Sequence, residues 1–268
     1  MESKNAKVLR DWLIFAMVLA LSACVINTFD EDVQNIDFTA EASFSEEQPV
    51  AQLKRLVLEG INGPVEINGR AGATAVKIWG ERRVNSESQA DAEAHLSELK
   101  VEITPTAEEF LVKTVQPQNN QGRSYVVNYH VTLPLDMEVA ITNINGAVQI
   151  DSLSADVEVN NINGQVWLND IFASVEVDLV NGQIFSKVFL PLNGQIELTT
   201  VNGQIDLRIP QTTSAELSAR LSNGVIKLSN LNPQQVESSK TFFRDKLRDG
   251  QGRIDLRTVN GSIQISGF

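Results

Sequence analysis

The hydrophobic pattern of the chain repeats around the dipeptide Asn-Gly. Nine of the 16 glycines follow an asparagine, and most of these pairs share one frame. Apolar residues stand six, four and one positions before the Asn and three and five positions after it. This alternation predicts two short strands with one buried face each, and Asn-Gly, which tolerates positive φ, indicates a tight corner between them. A half copy of the frame stands at Asn193. The frame occurs in full seven times, at Asn62, Asn145, Asn163, Asn181, Asn202, Asn223 and Asn260.

Two architectures fit this frame. In an antiparallel meander, Asn-Gly would form two-residue hairpins, whereas in a parallel β-solenoid each repeat would be one rung with equivalent residues stacked above one another. The residue directly before the Asn is aliphatic in six of seven copies; a hairpin would expose it, and a bend would turn it inward. From Asn145 to Asn223 the copies are 18 or 21 residues apart, which suits one rung per repeat. The sequence favours an all-β parallel β-solenoid (β-helix) with Asn-Gly corners, and the alternative is an antiparallel meander or sandwich.

Two long intervals, at about 72–136 and 230–252, interrupt the repeat and are predicted to be insertions. One short helix is expected between Ser86 and Lys100, where Ser86 and Gln89 have the spacing of a capping box. The second interval is polar and is expected to leave the coil and return for the last rung. Strands are expected in the first interval near Val76–Trp79, Val101–Ile103, Phe110–Val115 and Tyr125–Leu133.

The beginning of the chain has the pattern of a secretion signal. Three basic residues precede the apolar run Trp12–Leu21, which has ten residues. A membrane-spanning helix needs about 20 apolar residues, whereas a secretory h-region takes about 7–15. The run ends in Leu-Ser-Ala-Cys at residues 21–24 and resembles the bacterial lipobox. That resemblance implies a lipoprotein signal peptide at 1–23, a multiply acylated Cys24 that anchors the chain in the bilayer, and, because Val25 follows it, the outer rather than the inner membrane.

Composition narrows the function further. Residues 24–50 carry seven carboxylates and no Lys or Arg, which predicts a disordered acidic tether before a solenoid domain at 51–268. The net charge of −12 argues against nucleic acid as a partner. Because Cys24 is the only cysteine and the chain has two histidines, a disulfide framework and a Cys/His zinc cluster are excluded. We expect no metal and no cofactor.

The repeat resembles the bacterial putative-adhesin domains of β-helical type, whose members repeat short strands around an Asn-Gly corner. The resemblance rests on Leu56–Ile67, Val139–Ile150 and Ile254–Ile265 and covers about 53–268. It implies a β-helical, adhesin-like domain and supplies no catalytic residue.

Outward-facing columns of the predicted solenoid give a candidate binding surface. Trp167 and Phe185 occupy equivalent positions one rung apart. Such an aromatic pair suits a sugar ring or the apolar patch of a partner; the alternative is that the helix or a neighbouring subunit covers it.

A second column is acidic and has two interpretations. It binds a cation, or it is a solvated face beside Arg208, Arg220 and Arg257. Its members are Glu158, Glu176 and Glu197, followed by Asp255.

The sequence therefore predicts a lipid-anchored protein of the bacterial envelope with a non-catalytic binding or scaffolding module, whose partner is a glycan or an envelope protein. The alternative is a polysaccharide-acting β-helix enzyme, because glycoside hydrolysis uses paired carboxylates. Against the enzyme, the acids recur only because the rung recurs, and no nucleophile elbow, phosphate loop or metal-ligand spacing occurs. His95 and His130 are predicted to be surface or packing residues rather than a catalytic base.

Overall fold

The computed structural model of the chain describes residues 38–50, 52–106, 108–234 and 236–268, and these residues form two sheets with one short helix. The helix α1 spans Gln89–His95 and continues into a 3-10 turn at Leu96–Glu98. The strands are β1 (Phe38–Pro49), β2 (Arg55–Glu59), β3 (Val65–Arg70), β4 (Ala75–Ser86), β5 (Lys100–Pro105), β6 (Glu109–Val115), β7 (Ser124–Pro134), β8 (Glu138–Asn145), β9 (Val148–Leu153), β10 (Val157–Asn163), β11 (Val166–Ile171), β12 (Val175–Asn181), β13 (Ile184–Val188), β14 (Gln195–Asn202), β15 (Ile205–Ile209), β16 (Ala215–Asn223), β17 (Ile226–Ser229), β18 (Glu237–Ser238), β19 (Phe242–Leu247), β20 (Gly252–Asn260) and β21 (Ile263–Gly267).

The two sheets are built from stacked strand pairs. Sheet A has the order β1-β4-β7-β3-β9-β11-β13-β15-β21-β17, and sheet B has the order β18-β19-β16-β20-β14-β12-β10-β8-β2-β6-β5. Each rung is one strand of sheet B followed by one strand of sheet A, and neighbouring rungs pair in parallel, with Asn163 opposite Asn181 and Trp167 opposite Phe185. The parallel strands predicted from the repeat are therefore present, and the arrangement is consistent with a β-solenoid.

Apolar residues from both sheets fill the space between them as one cluster. In the rung formed by β10 and β11, Val157, Val159, Val166 and Leu168 are each at most 2% exposed. These are the positions six and four before the Asn and three and five after it, so the alternation read from the sequence identifies the buried face correctly.

The prediction that the residue before each Asn points inward is wrong. Buried and outward-facing residues alternate regularly up to the Asn. The residue two positions before the Asn is therefore buried, as Asn161 and Thr200 are, and the residue directly before the Asn faces outward. The chain bends only at the following glycine, which is too late to shift the phase of the preceding residue. The aliphatic residues of this column are half-buried or exposed on the outside of sheet B: Ile61, Ile144, Ile162, Val180, Val201 and Val259.

The glycines of the repeat lie where no side chain fits. Gly164 has φ +139°, and a Cβ there would lie 2.1 Å from the carbonyl oxygen of Gly146 in the next rung. Gly182 would place its Cβ 1.7 Å from the oxygen of Gly164. Rung-to-rung contact at this edge therefore requires glycine, both for its backbone conformation and for its small size.

The order of the rungs departs from the order of the chain at both ends. The pair β2–β3 lies between β6–β7 and β8–β9, and the C-terminal pair β20–β21 lies between β14–β15 and β16–β17. The segment 72–136, expected as an insertion, supplies β4 to β7 to both sheets. The segment 230–252 does not simply leave the coil, because β19 pairs antiparallel with β16 and extends sheet B. Pairing across such sequence distances has no local signal, so the repeat frame did not reveal it.

Residues 38–49, assigned from the sequence to a disordered acidic tether, instead form β1. This strand pairs antiparallel with β4 along its whole length. The Phe44 ring meets the Tyr129 ring edge to face with centroids 5.7 Å apart, and Arg83 Nε donates to Glu41 Oε1 over 2.6 Å. The tether prediction is wrong for this segment. Its apolar residues pack on the sheet, and Arg83 on β4 pairs with Glu41, an acid for which the local composition offered no basic partner.

The helix between β4 and β5 was predicted, but its cap was not. Ser88, not Ser86, is the N-cap, and its Oγ accepts from Asp91 N over 3.2 Å. Ser86 instead donates to the Asp91 carboxylate. Ala92, within the helix, is fully buried.

Candidate functional site

The outer face of sheet A carries one row of side chains that crosses seven neighbouring strands. Neighbouring strands lie about 4.8 Å apart, so the first and fifth members of the row are about 19 Å apart. Aromatic residues recur along this face with polar residues between them. From β4 to β15 the residues opposite one another are Trp79, His130, Glu66, Gln149, Trp167, Phe185 and Asp206.

The predicted pair Trp167 and Phe185 lies in this row and is stacked. The ring centroids are 4.0 Å apart with an interplanar angle of 16°, so each ring covers one face of the other. Trp167 Nε1 donates to Gln165 Oε1 over 3.1 Å, which fixes the indole. The helix does not cover the pair, because it packs against β1 and β4, several strands away.

Sequence reasoning missed a second aromatic site in the same row. Trp79 is 36% exposed, and its ring stacks on His130 with centroids 5.7 Å apart and an angle of 20°. Lys77 Nζ lies 5.9 Å from the Trp79 ring centroid, and His130 Nδ1 lies 3.0 Å from Glu66 Oε2. The repeat frame did not indicate this site, because β4 lies outside the repeat. A shallow hollow at this site is also lined by Ser45, Arg70, Asn128 and Thr132.

A third aromatic cluster, also missed, lies beyond the carboxyl ends of the sheet A strands. Phe172 and Phe189 stack with centroids 4.2 Å apart, and Phe268 meets Phe189 edge to face at 5.3 Å. Lys187 Nζ lies 5.5 Å and 5.1 Å from the Phe189 and Phe268 centroids and 2.7 Å from Asp170 Oδ1. Phe172 is 50% exposed. The repeat alignment did not reveal this cluster, because the number of residues between the Asn and the aromatic residue differs between rungs.

The predicted acidic column lies on the outer face of sheet B in the expected register. Glu158, Glu176 and Glu197 stand opposite one another on neighbouring strands. Arg55 Nη2 donates to Glu158 Oε2 over 2.9 Å, and Gln195 Nε2 donates to Glu197 Oε2 over 3.1 Å. Polar and basic neighbours thus compensate part of the repulsion between like charges.

The basic residues expected beside this column are distributed differently. Arg257 and Arg253 donate to Asp255, the next member, over 2.9 Å and 3.2 Å. Burial pushes the pKa of Asp255 upward, but these hydrogen bonds and charges outweigh it and hold the pKa below its ordinary value. Arg220 lies over the Phe242 ring at 5.4 Å. The expectation for Arg208 is wrong, because β15 belongs to sheet A.

The asparagines of the repeat form a continuous ladder along the edge where sheet B leads into sheet A. Each Nδ2 donates to the Oδ1 of the neighbouring rung over 2.7–2.9 Å. At one end, Asn62 Nδ2 donates to Tyr125 O over 3.0 Å. The ladder therefore uses most of its hydrogen-bonding groups internally. In rung order its members are Asn62, Asn145, Asn163, Asn181, Asn202, Asn260 and Asn223.

His95, which the sequence singled out, and several other titratable groups have structural contacts. His95 Nδ1 lies 2.8 Å from Asp91 O. Arg123 Nε and Nη2 donate to the two oxygens of Asp91 over 2.6 Å and 2.7 Å. These bonds, and that from Ser86, hold the Asp91 pKa well below its ordinary value. In the core, burial raises the pKa of Tyr129 to about 12, although Thr114 Oγ1 lies 2.6 Å from its hydroxyl.

Cys24 and the predicted signal segment lie outside the described residues. Within the described ranges, no group of three or more His, Cys, Asp or Glu side chains has the geometry of a metal site. The same part of the chain contains no helix with the length and apolarity needed to cross a bilayer.

Comparison with known proteins identifies the family. Residues 88–266 match the model of the Toastrack DUF4097 family. No curated protein matches the chain. The resemblance to putative-adhesin domains seen in the sequence is confirmed by this match.

Three solved structures illustrate the likeness. A putative cell adhesion protein from Clostridium sporogenes is 12% identical, covers 85% of this chain and 100% of its own, and has a TM-score of 0.48. A putative adhesin from Bacteroides fragilis is 10% identical over 85% and 97% of the two chains, with a TM-score of 0.36. A putative lipid binding protein from Parabacteroides distasonis is 11% identical over 84% and 95%, with a TM-score of 0.26. The family match covers well over half of the sequence, and the chain belongs to the Toastrack DUF4097 family.

Proposed function

We propose that this protein is a lipid-anchored, non-catalytic binding module of the bacterial cell envelope, adhesin-like, and that the outer face of sheet A binds a glycan. The observation that carries the proposal is the row from Trp79 to Phe185, which alternates aromatic stacks with polar side chains across neighbouring strands. Aromatic rings pack against the apolar C–H faces of sugars, and adjacent amides and carboxylates hydrogen-bond sugar hydroxyls.

Trp79 is the strongest anchor within this row. Its neighbour His130 stacks on one face of the indole, while the hollow beside it offers the hydroxyl of Thr132, the amide of Asn128 and the cations of Lys77 and Arg70. Trp167 and Phe185 would supply a second contact about 19 Å away, a span that suits an extended oligosaccharide rather than a single sugar.

Polar groups in and beside the row suit the same ligand. Gln149 Nε2 donates to Asp151 Oδ2 over 2.7 Å, and Asn169 Nδ2 donates to Asp151 Oδ1 over 2.8 Å. Amides and a carboxylate held in this way are pre-organised, which lowers the entropy lost when they bind hydroxyls.

Anchoring rests on the lipobox-like segment that ends at Cys24. The test compares the full chain with Cys24→Ser in a bacterial host, followed by membrane fractionation and labelling with a fatty-acid analogue. We expect the label and the membrane association to disappear in the variant. A Cys24→Ser protein that keeps both would refute the lipid anchor. Separation of inner from outer membranes then tests the expected outer-membrane location.

The second candidate function is hydrolysis of an envelope polysaccharide by the acidic column of sheet B. The register of Glu158 and Glu176 favours it, because neighbouring strands lie about 4.8 Å apart, close to the separation of about 5–5.5 Å between the carboxyl groups of retaining glycosidases. This candidate predicts release of reducing ends from a glycan and its loss in Glu158→Gln or Glu176→Gln.

One experiment separates the two functions. The full chain, purified in detergent, is applied to an array of cell-wall and capsular oligosaccharides, and every bound glycan is assayed for new reducing ends. Binding without cleavage, weakened by Trp79→Ala and not by Glu158→Gln, is the expected result. Cleavage abolished by Glu158→Gln would establish the enzyme, and the absence of any bound glycan would refute the proposed ligand.

A further inference from the structure

The nine Asn-Gly pairs share one chemical liability but not one environment. The glycine nitrogen of such a pair, after giving its proton to water or hydroxide, attacks the asparagine Cγ. A C–N bond forms, Nδ2 leaves as ammonia, and water opens the resulting succinimide to aspartate or isoaspartate. Because glycine adds no side chain to hinder ring closure, this dipeptide reacts readily wherever the structure leaves both groups free to move.

Six pairs of the ladder are held at both reacting groups. Gly164 N donates to Asn181 O over 3.0 Å, and Asn163 Oδ1 accepts from Asn181 Nδ2 over 2.9 Å. Ring closure at Asn163 would break both bonds and separate two rungs. The same two contacts occur at Asn62, Asn145, Asn181, Asn202 and Asn260.

Asn223 stands at the open end of the ladder and lacks both restraints. It is exposed, and it donates through Nδ2 to Asn260 Oδ1 over 2.9 Å. Its Oδ1 accepts no hydrogen bond from any residue that the structure describes, and the N–H of Gly224 donates to none of them. The Cγ and the nucleophilic nitrogen are therefore free to approach without opening a rung.

Asn193 is the second exception. It lies in the turn before β14 with φ +63°, is exposed, and makes no side-chain hydrogen bond within the described ranges. The N–H of Gly194 donates to Pro191 O over 3.0 Å, a bond within the same turn. By contrast, the remaining pair at Asn68 lies inside β3, where Gly69 is paired with Leu133 of β7.

We propose that Asn223 and Asn193 are sites of spontaneous deamidation in the folded protein and that the ladder protects its other six Asn-Gly pairs. Reaction at Asn223 converts the terminal amide of the ladder to a carboxylate, and the isoaspartate product adds a methylene to the main chain at the corner that leads into β17. The corner between β16 and β17 would then gain one negative charge, and the pairing of β17 at the edge of sheet A would be weakened.

The test is site-resolved mass spectrometry of the full chain, purified in detergent and incubated at mildly alkaline pH. Asn223 and Asn193 should convert at least about tenfold faster than Asn163. Asn163 reacts only when its rungs open locally, and each tenfold decrease in that open population corresponds to about 1.4 kcal/mol of opening free energy. A parallel incubation in concentrated urea, where all nine pairs share a similar unfolded environment, should bring the rates together.

Two results would overturn the proposal. Equal conversion of Asn163 and Asn223 in the folded chain would show that the ladder gives no protection. Persistence of the same ranking in urea would show that local sequence, not the fold, sets the rates. Asn193→Gln should remove conversion in its own turn and leave that of Asn223 unchanged, so the two sites are scored separately.

Discussion

Replacing a corner glycine by alanine measures how closely the rungs are stacked. In Gly164→Ala the new Cβ would lie 2.1 Å from the Gly146 oxygen and 2.6 Å from its carbonyl carbon. To restore an ordinary contact, the rungs must separate by about 1 Å, which would weaken the 2.9 Å hydrogen bond from Gly146 N to Asn163 O. Gly72→Ala is the matched control, because Gly72 also has positive φ, at +72°, but its Cβ would meet nothing within 4 Å.

The expected magnitudes follow from these contacts. Gly72→Ala incurs only backbone strain, about 1–2 kcal/mol. Gly164→Ala adds overpacking of about 1–3 kcal/mol to strain of about 1–3 kcal/mol, for a total of about 2–6 kcal/mol. Alanine lowers the entropy of the unfolded chain in both variants, so that contribution cancels in the difference.

Urea unfolding followed by tryptophan fluorescence measures this difference, because Trp79 and Trp167 lie on sheet A. We expect the free energy of unfolding to fall about 1–3 kcal/mol further in Gly164→Ala than in Gly72→Ala, because backbone strain is common to the two variants and overpacking is not. Equal losses in the two variants would refute the close stacking of glycine on glycine at this edge.

Three further predictions concern the ladder, the pH dependence and the order of the rungs. Asn163→Ala should lower the free energy of unfolding by about 1–3 kcal/mol, because it removes two ladder hydrogen bonds. Gln118→Ala, at an exposed loop position, should change it by no more than about 0.5 kcal/mol in the same unfolding assay. Hydrogen bonds from Arg123 lower the pKa of Asp91, so the Asp91 carboxylate stabilises the fold above its unfolded pKa of about 4, and this stabilisation is lost as the pH falls. Asp91→Asn should therefore make the loss of stability below about pH 4 shallower. An unchanged pH profile would contradict this. Deletion of residues 252–268 removes a rung from between two others, so circular dichroism melting should lose its cooperativity, and a sharp transition in the truncated chain would contradict the observed strand order.

The sequence was informative where the fold repeats itself. The alternation around Asn163 identified the buried residues Val157, Val159, Val166 and Leu168, and the steady interval indicated parallel stacking. Both are local consequences of one rung geometry, so each copy of the frame repeats the evidence. The register that aligns Trp167 with Phe185 follows from the same frame.

The sequence was uninformative where pairing is nonlocal. Nothing near β20 indicates that it pairs with both β14 and β16, and nothing in the acidic composition of β1 indicates the complementary edge of β4. Trp79 was missed for the same reason, since its partner His130 is 51 residues away on an antiparallel strand outside the repeat. The inward residue before the Asn was mispredicted because the frame locates a corner only to within one residue.

The central claim is that the row on sheet A binds an oligosaccharide, and isothermal titration calorimetry tests it most directly. The full chain is titrated with the strongest array ligand, beside Trp79→Ala and the control Leu192→Ala, whose leucine is 68% exposed on a turn away from the row. We expect Trp79→Ala to weaken binding by about tenfold or more, equivalent to about 1.4 kcal/mol or more, and Leu192→Ala to bind as the unmodified chain does. Unchanged affinity in Trp79→Ala would contradict the account.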